Sequence, residues 1–455
     1  MQLRSRPFRS NGVRLFDLGF AVDPPQLVDP QRGLTNVVQV ADATYEVDAT
    51  IFDAHDQRMV RSGVVLARRT FAGHPTEWYL DAPDWAPWLP VDASSTSEEL
   101  PEKFRDAVVP FMRRAELVES AQLHCRRRTW HLRDDQRAVL ARLSDDQVTV
   151  RRGQLVTGRY REVTLTPVGA TPEQMSWLAE NLTAVGAARV PAFPPLAERL
   201  GAPATGPSDL PAVADWNDAT PAPAFVQSLW AGRLRELLGA DLALRTGLST
   251  DTKKLVAILR RLRREIRGLA PVLDAEWVAD SDAALAQVTT EISETTDPPD
   301  SSDYLGVIDR VVVAARAVQV GMGEQTAGEL ARALVGNALK DTRKAVDNLS
   351  PDAPQDAWDS AVSRVESLVN ACAIADLLPL TRDRRFTRRA VRMAERLSAA
   401  SDPELFALQE SVPTLTAEQA FEAGREYQRR KLAQNQARAD LVNQWPKWRR
   451  KLVVS

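Results

Sequence analysis

The sequence predicts an α+β antiparallel barrel followed by an all-helical bundle. Three observations carry that prediction. Up to about residue 166, apolar residues recur at period two in short runs separated by turn residues. From Phe225 onward strand signals stop and helical periods run almost to the end of the chain. Between them, 201–223 (GAPATGPSDLPAVADWNDATPAP) is dominated by Gly, Pro, Ala and Asp with no period, and reads as a flexible linker. The expected division is a basic irregular tail at 1–12, a sheet domain at 13–200, the linker at 201–223, and a helical domain at 224–455.

Val13–Val22 alternates and reads as the first strand. Val47, Ala49 and Ile51 alternate with polar residues and lead through Phe52-Asp53 into a polar turn. Val64–Arg69 is β-branched and apolar, Gly73-His74-Pro75 is turn chemistry, and Trp78-Tyr79-Leu80 is a third strand. Arginines at period two on neighbouring strands share one face. Inside a barrel such a row is an anion site; on an outer face it is a solvated surface. Leu100–Leu117 has a helical period, and Leu123–Val150 reads as three short strands with a turn at Asp134-Asp135. Tyr160–Thr166 reads as another strand and Thr171–Gly186 as an amphipathic helix. Helical periods then cover 225–247, 251–273, 279–292, 303–323, 325–348, 355–378, 383–399, 402–411 and 416–444. Gly247, Pro271, Pro298-Pro299, Pro351, Pro354, Pro379 and Pro413 supply the breaks. That is enough helix for two antiparallel bundles.

A chain of 455 residues has room for two or three domains. A formal charge of −3 gives no global pull toward nucleic acid or membrane. No apolar run approaches a membrane span, and the first residues lack the apolar stretch of a signal peptide. Cys125 and Cys372 lie far apart without metal-ligand spacing, so a reduced cytoplasmic compartment is expected. His55, His74, His124 and His131 make no metal pattern; His124 and Arg126 share strand parity, which lets both face a barrel interior.

The stretch Phe52-Asp53-Ala54, Gln57–Thr70 and Glu77–Pro83 resembles the "YFDTxDxxLxxxGxxLRxRxGG…WxLKLP" run of CYTH proteins, the triphosphate tunnel family. The resemblance implies a tunnel barrel in which alternating acids hold magnesium or manganese and arginines clamp phosphates. The family's ExExK strand falls on Leu15, Asp17 and Gly19, so one acid survives of two, and the lysine is gone. Leu123–Val150 resembles the second half of such a barrel, with Arg126 and Asp146 matching and Arg142 reversing an acid. Glu162 matches a further acid, while Thr164 and Thr166 replace two more, and Pro195 replaces the lysine of the closing motif. The acids carried over are thus Asp17, Glu162 and Asp146, and the phosphate-binding arginines Arg58, Arg61, Arg69 and Arg126. With so few hard oxygen ligands, no catalytic or metal site is expected to work efficiently.

The sharpest helical element is Thr252–Leu273. Leu255, Ile258, Leu259, Leu262, Ile266 and Leu269 form one apolar stripe. Lys253, Arg260, Arg264 and Arg267 share another face, widened by Arg261 and Arg263. Lys253–Arg264 resembles the "HxMRVATRRLRxxL" motif of CHAD domains, the helical module that often follows CYTH in one chain, with Lys253 in the histidine's place. Ala417–Trp448 resembles that family's last helix. CHAD modules are associated with inorganic polyphosphate, so the expected partner is polyphosphate or another polyanion, bound by the basic face. Two alternatives stand beside it: a residual metal-dependent triphosphatase, which needs Asp17, Glu162 and Asp146 to converge, and an interaction scaffold with both sites vestigial, which is favoured if Arg260 and Arg264 are buried against acids such as Asp303, Asp309 or Glu324. Trp445, Trp448 and Arg449-Arg450-Lys451 read as a helix end packing its tryptophans rather than a nucleic-acid site.

Overall fold

The structure is a computed structural model that describes residues 12–23, 25–90, 93–295, 297–317, 324–402, 404–405 and 416–452. The described residues form two compact units. The first takes in those up to Leu210 with Leu238–Thr250 and Pro298–Leu305; the second takes in Pro211–Leu237, the rest of Asp251–Asp297, and those from Gly306 on.

The first unit is built on one ten-stranded antiparallel sheet. Its strands are β1 (Arg14–Leu18), β2 (Asn36–Gln39), β3 (Tyr45–Asp53), β4 (Val65–Phe71) and β5 (Glu77–Asp81). They continue with β6 (Ala93–Ser95), β7 (Val118–Arg133), β8 (Val139–Arg152), β9 (Leu155–Pro167) and β10 (Ala188–Val190). The spatial order is β10-β1-β9-β8-β7-β3-β4-β5-β6, with β2 attached to β7. The expected closure is absent: the path ends on β10 and β6, each three residues long, and these do not pair.

Three of the expected elements are redrawn. Leu123–Val150 holds parts of two long strands rather than three short ones. The polar run Arg126–Arg128 does not break β7, because its residues sit opposite Gln147, Asp146 and Asp145 of β8. The "polar turn" after Asp53 contains a helical turn, α1 (Arg58–Arg61). The buried Asp53 carboxylate makes it, accepting hydrogen bonds from the amides of Ala54, Met59 and Val60. The Leu100–Leu117 helix is shorter than its period suggested, α2 (Glu102–Met112), stopped where Arg113 adopts a positive φ of 54°.

Side chains alternate between two apolar layers. One face carries Val47, Ala49, Ile51, Leu123, Cys125 and Val148 and is covered by Leu196 and Leu200 of α4 (Leu196–Leu200). The other carries Phe16, Leu18, Leu132, Leu143, Val163 and Leu165 and is covered by Met175, Leu178 and Leu182 of α3 (Pro172–Ala184). They are called the α4 face and the α3 face below. The first residues of the 201–223 stretch are not free chain. Ala204 joins the α4-face core, and buried Asp209 pairs with Arg113 and Arg61.

No strand follows Val190 among the described residues. The helices are α5 (Ala222–Arg245), α6 (Lys253–Leu269), α7 (Ala275–Ser293), α8 (Ser302–Arg316), α9 (Ala327–Asp347), α10 (Gln355–Ala375), α11 (Arg384–Ser401) and α12 (Ala417–Lys451). Most of the predicted 402–411 helix, the end of 303–323 and the 1–12 tail apart from Gly12 lie outside the described residues. In the second unit α6 packs between α7 and α10, α10 between α9 and α11, and α11 against α12. All six stripe residues of α6 are buried. Gly268 lets α6 approach α10: a Cβ there would lie 2.6 Å from the Asn370 carbonyl oxygen.

Candidate functional site

Strand register brings the three predicted acids together on the α4 face. Asp17 of β1 lies opposite Glu162 of β9, and Glu162 opposite Asp146 of β8. Asp146 lies opposite Arg127 of β7, and Arg127 opposite Tyr45 of β3. The result is one row across five strands.

The row is filled by the chain's own cations. Arg199, projecting from α4, donates to Asp17 at 2.8 Å and to Glu162 at 3.2 Å, and its guanidinium lies 4.4 Å above the Tyr160 ring. Arg127 grips Asp146 with two nitrogens and donates to the Tyr45 hydroxyl at 3.1 Å. Burial pushes the Tyr160 hydroxyl and the Cys125 thiol up, the thiol to about 12. The flanking row, Leu15, Thr164 and Ser144, carries no acid. No group of three or more His, Cys, Asp and Glu among the described residues is placed to hold a metal ion. Chemically the row is an ion-pair ladder of three acids and two guanidiniums, Arg199 shared between Asp17 and Glu162 and Arg127 held by Asp146.

Burial pushes the Glu162 carboxyl up to about 7, with Arg199 opposing and Asp146 and Asp17 adding to the rise. The folded value exceeds the ordinary 4.5, so the folded protein holds this proton more tightly than the unfolded chain. The stability this group contributes is full below about 4.5 and is lost as pH rises through about 7. Glu162→Gln removes the titration. Between about pH 5 and about pH 8 the variant is expected to gain on the order of 2 kcal/mol relative to wild type. Urea denaturation of both proteins at the two pH values checks this, and a difference that is flat or of opposite sign refutes it.

The predicted arginines divide. Arg69 lies on the α4 face, but its guanidinium is held by Glu77 and sits 3.7 Å above the Tyr79 ring. Arg58 and Arg61 sit in α1 and bind Asp56, Arg61 also facing Asp209. Arg126 is a correction: it points to the opposite face, half exposed and 3.3 Å from Glu46, and His124 accompanies it with Asp48. The inward parity of β7 is odd, through Cys125, Arg127 and Thr129, because buried Cys125 fixes it. Arg127, Arg199, Tyr45 and Tyr160 were not anticipated. A hairpin centred on Gln136-Arg137 sets Arg127 opposite Asp146, which is the signal that could have found the first of them.

The basic face of α6 is partly paired. Lys253 meets Asp251 at 3.2 Å and Arg261 meets Glu236 of α5 at 3.1 Å. Arg263 and Arg267 share Asp282 of α7 at 2.8 and 2.6 Å. Burial works against ionising Asp282, yet hydrogen bonds from Arg267 and Arg263 hold its carboxyl down at about 2. Arg260 and Arg264 are exposed and have no hydrogen-bond or ion-pair partner among the described residues. Behind them Glu265 is buried and bound by Arg233 of α5, which fixes how α6 faces outward. A second cationic helix went unremarked in the sequence: α11 exposes Arg384, Arg385, Arg388 and Arg392. At the chain's end Trp445 is buried and donates to Asp347, and Trp448 lies under Arg396, so both tryptophans are packed as expected.

No known protein family matches this sequence, and no curated protein matches it. Among solved structures, the PH1819 protein of Pyrococcus horikoshii OT3 matches at 13% identity over 39% of this chain and 92% of that one, with a TM-score of 0.20. At that identity and score the likeness identifies neither a family nor an activity. What the fold establishes is a class: an open antiparallel sheet unit followed by a helical region, with no described helix long and apolar enough to cross a membrane.

Proposed function

We propose that this chain binds linear polyanions, inorganic polyphosphate foremost, through the exposed face of α6, and that its sheet unit is a CYTH-like tunnel fold retained without efficient catalysis. The helical unit is then CHAD-like. The observation that carries the reading is the pair Arg260 and Arg264: two exposed guanidiniums one helical turn apart, unpartnered among the described residues, flanked by Arg261, Arg263 and Arg267. Like charges that close together are unfavourable unless an anion lies opposite. Burial of those two arginines against acids would have favoured the scaffold alternative, and both are exposed. The triphosphatase alternative needs Asp17, Glu162 and Asp146 to converge; they are register neighbours, and what weighs against it is that Arg199 and Arg127 hold all three.

Titration of the whole chain with long-chain polyphosphate tests the proposal. Binding is expected at about 50 mM salt and is expected to weaken steeply by about 200 mM, because each neutralised phosphate releases condensed counterions. Absence of binding at the lower salt overturns it. Release of phosphate from triphosphate that depends on manganese overturns the non-catalytic half separately.

A further inference from the structure

On the α3 face, across the sheet from the acid row, lies a cavity of about 530 Å³. That volume falls in the range of about 300–1,000 Å³ typical of sites for small organic molecules. Leu18, Leu143 and Val163 of the sheet make its floor, Leu27 and Leu182 its walls, and Trp130 of β7 supplies an aromatic plane. Val28 and Val37 stand on its lining with relative exposures of 46% and 37%, so apolar surface meets water at the mouth.

Two charged residues are present among its described lining residues, and they cancel. Asp145 and Arg161 are 2% and 3% exposed and make a bidentate pair at 2.7 and 2.8 Å. A third guanidinium nitrogen donates to the Val22 carbonyl. A guanidinium has five N–H groups, and these bonds use three, so donors remain for an acceptor on a ligand; the carboxylate likewise keeps lone pairs. The pair therefore supplies hydrogen bonding without net charge. A ligand that brought a charge into this cavity would lose its hydration and find no opposite charge left uncompensated. A neutral ligand meets no such cost.

The geometry points to a binding site for a neutral aromatic small molecule with one polar group, stacked near Trp130 and anchored by the Asp145–Arg161 pair. It is independent of the polyanion reading and lies in the other unit.

Two dyes with the same ring system make the test. N-phenyl-1-naphthylamine is neutral; 8-anilino-1-naphthalenesulfonate carries the same rings and a sulfonate. Both are titrated by fluorescence in the full chain with Arg260→Glu and Arg264→Glu, which removes two exposed cations of α6 from any competing sulfonate site. The neutral dye is expected to saturate at one per chain and to bind about tenfold or more tightly than the sulfonate. Val28→Trp fills the mouth from an exposed position and is expected to abolish that binding while the protein stays folded. Asp145→Asn leaves Arg161 uncompensated and is expected to reverse the preference toward the sulfonate. No saturable binding of the neutral dye, equal affinity for the two dyes, or binding unchanged by Val28→Trp overturns the proposal. Should Asp145→Asn fail to fold, the first two comparisons still decide it. A loss of polyphosphate binding elsewhere bears on neither dye.

Discussion

Reversing Arg260 and Arg264 to glutamate is expected to lower polyphosphate affinity by about a hundredfold or more at low salt and to flatten its salt dependence. On a single-stranded polyanion, log affinity falls with log salt by about 0.7 for each phosphate neutralised. Removing two contacts should therefore reduce the slope by about 1.4, while the two new carboxylates repel the remaining phosphates. The fold should not suffer. Both side chains are exposed and unpartnered among the described residues, so the stability change is expected to stay within about 0.5 kcal/mol. Titration at several salt concentrations, with a denaturation curve beside it, reads both quantities. Affinity unchanged by the double variant removes α6 as the reader. The same exchange at Arg388 and Arg392 then asks whether α11 does the work instead. Arg263 is the wrong residue for this purpose, because its loss breaks the pair with Asp282 and mixes packing with binding.

The second large effect is expected inside the sheet unit. At about pH 8, where the Glu162 carboxyl is ionised, Arg199→Met leaves Asp17 and Glu162 facing each other with no cation between them and Asp146 next in the row. Removing one partner of a buried ion pair typically costs about 3–5 kcal/mol; Asp17 is one-third exposed, so a value near 3 kcal/mol is expected here. Adding Asp17→Asn and Glu162→Gln should recover most of that loss, because the cost comes from uncompensated charge rather than from the missing side chain. Urea denaturation of the single and triple variants makes the comparison. A loss below about 1 kcal/mol in the single variant, or no recovery in the triple one, shows that Arg199 is not what neutralises the row.

Some of this was legible in the sequence, and the reasons divide cleanly. The apolar stripe of α6 is a local periodicity, and every residue of it is buried. The strand runs at Val47–Asp53 and Val64–Arg69 were likewise local, as were the helix starts at Thr171 and Thr326, each with its capping box. What was not legible depends on partners far away in sequence. Arg126 and Arg127 are equally good candidates until buried Cys125 sets the parity of β7. Arg199 matters only because α4 lies over the same face as the β1–β9 pair that brings residues 17 and 162 together. Asp209 sits in a stretch whose composition reads as linker, yet it is buried because Arg113, 96 positions earlier, pairs with it. Composition reports the backbone's preference for turns; it does not report whether a core is waiting for the side chain. The three acids are register neighbours, and the two guanidiniums that bind them, on three strands, come from positions no motif marked.

The sheet's failure to close has a further consequence. An open sheet offers free amide and carbonyl groups at its margins, and a long margin recruits strands from other molecules. Here the terminal strands Ala93–Ser95 and Ala188–Val190 hold three residues each, and the side strand Asn36–Gln39 holds four. Three residues present too few groups to template another chain. Brevity of the margins thus limits strand addition in the way that joining them would in a closed cylinder.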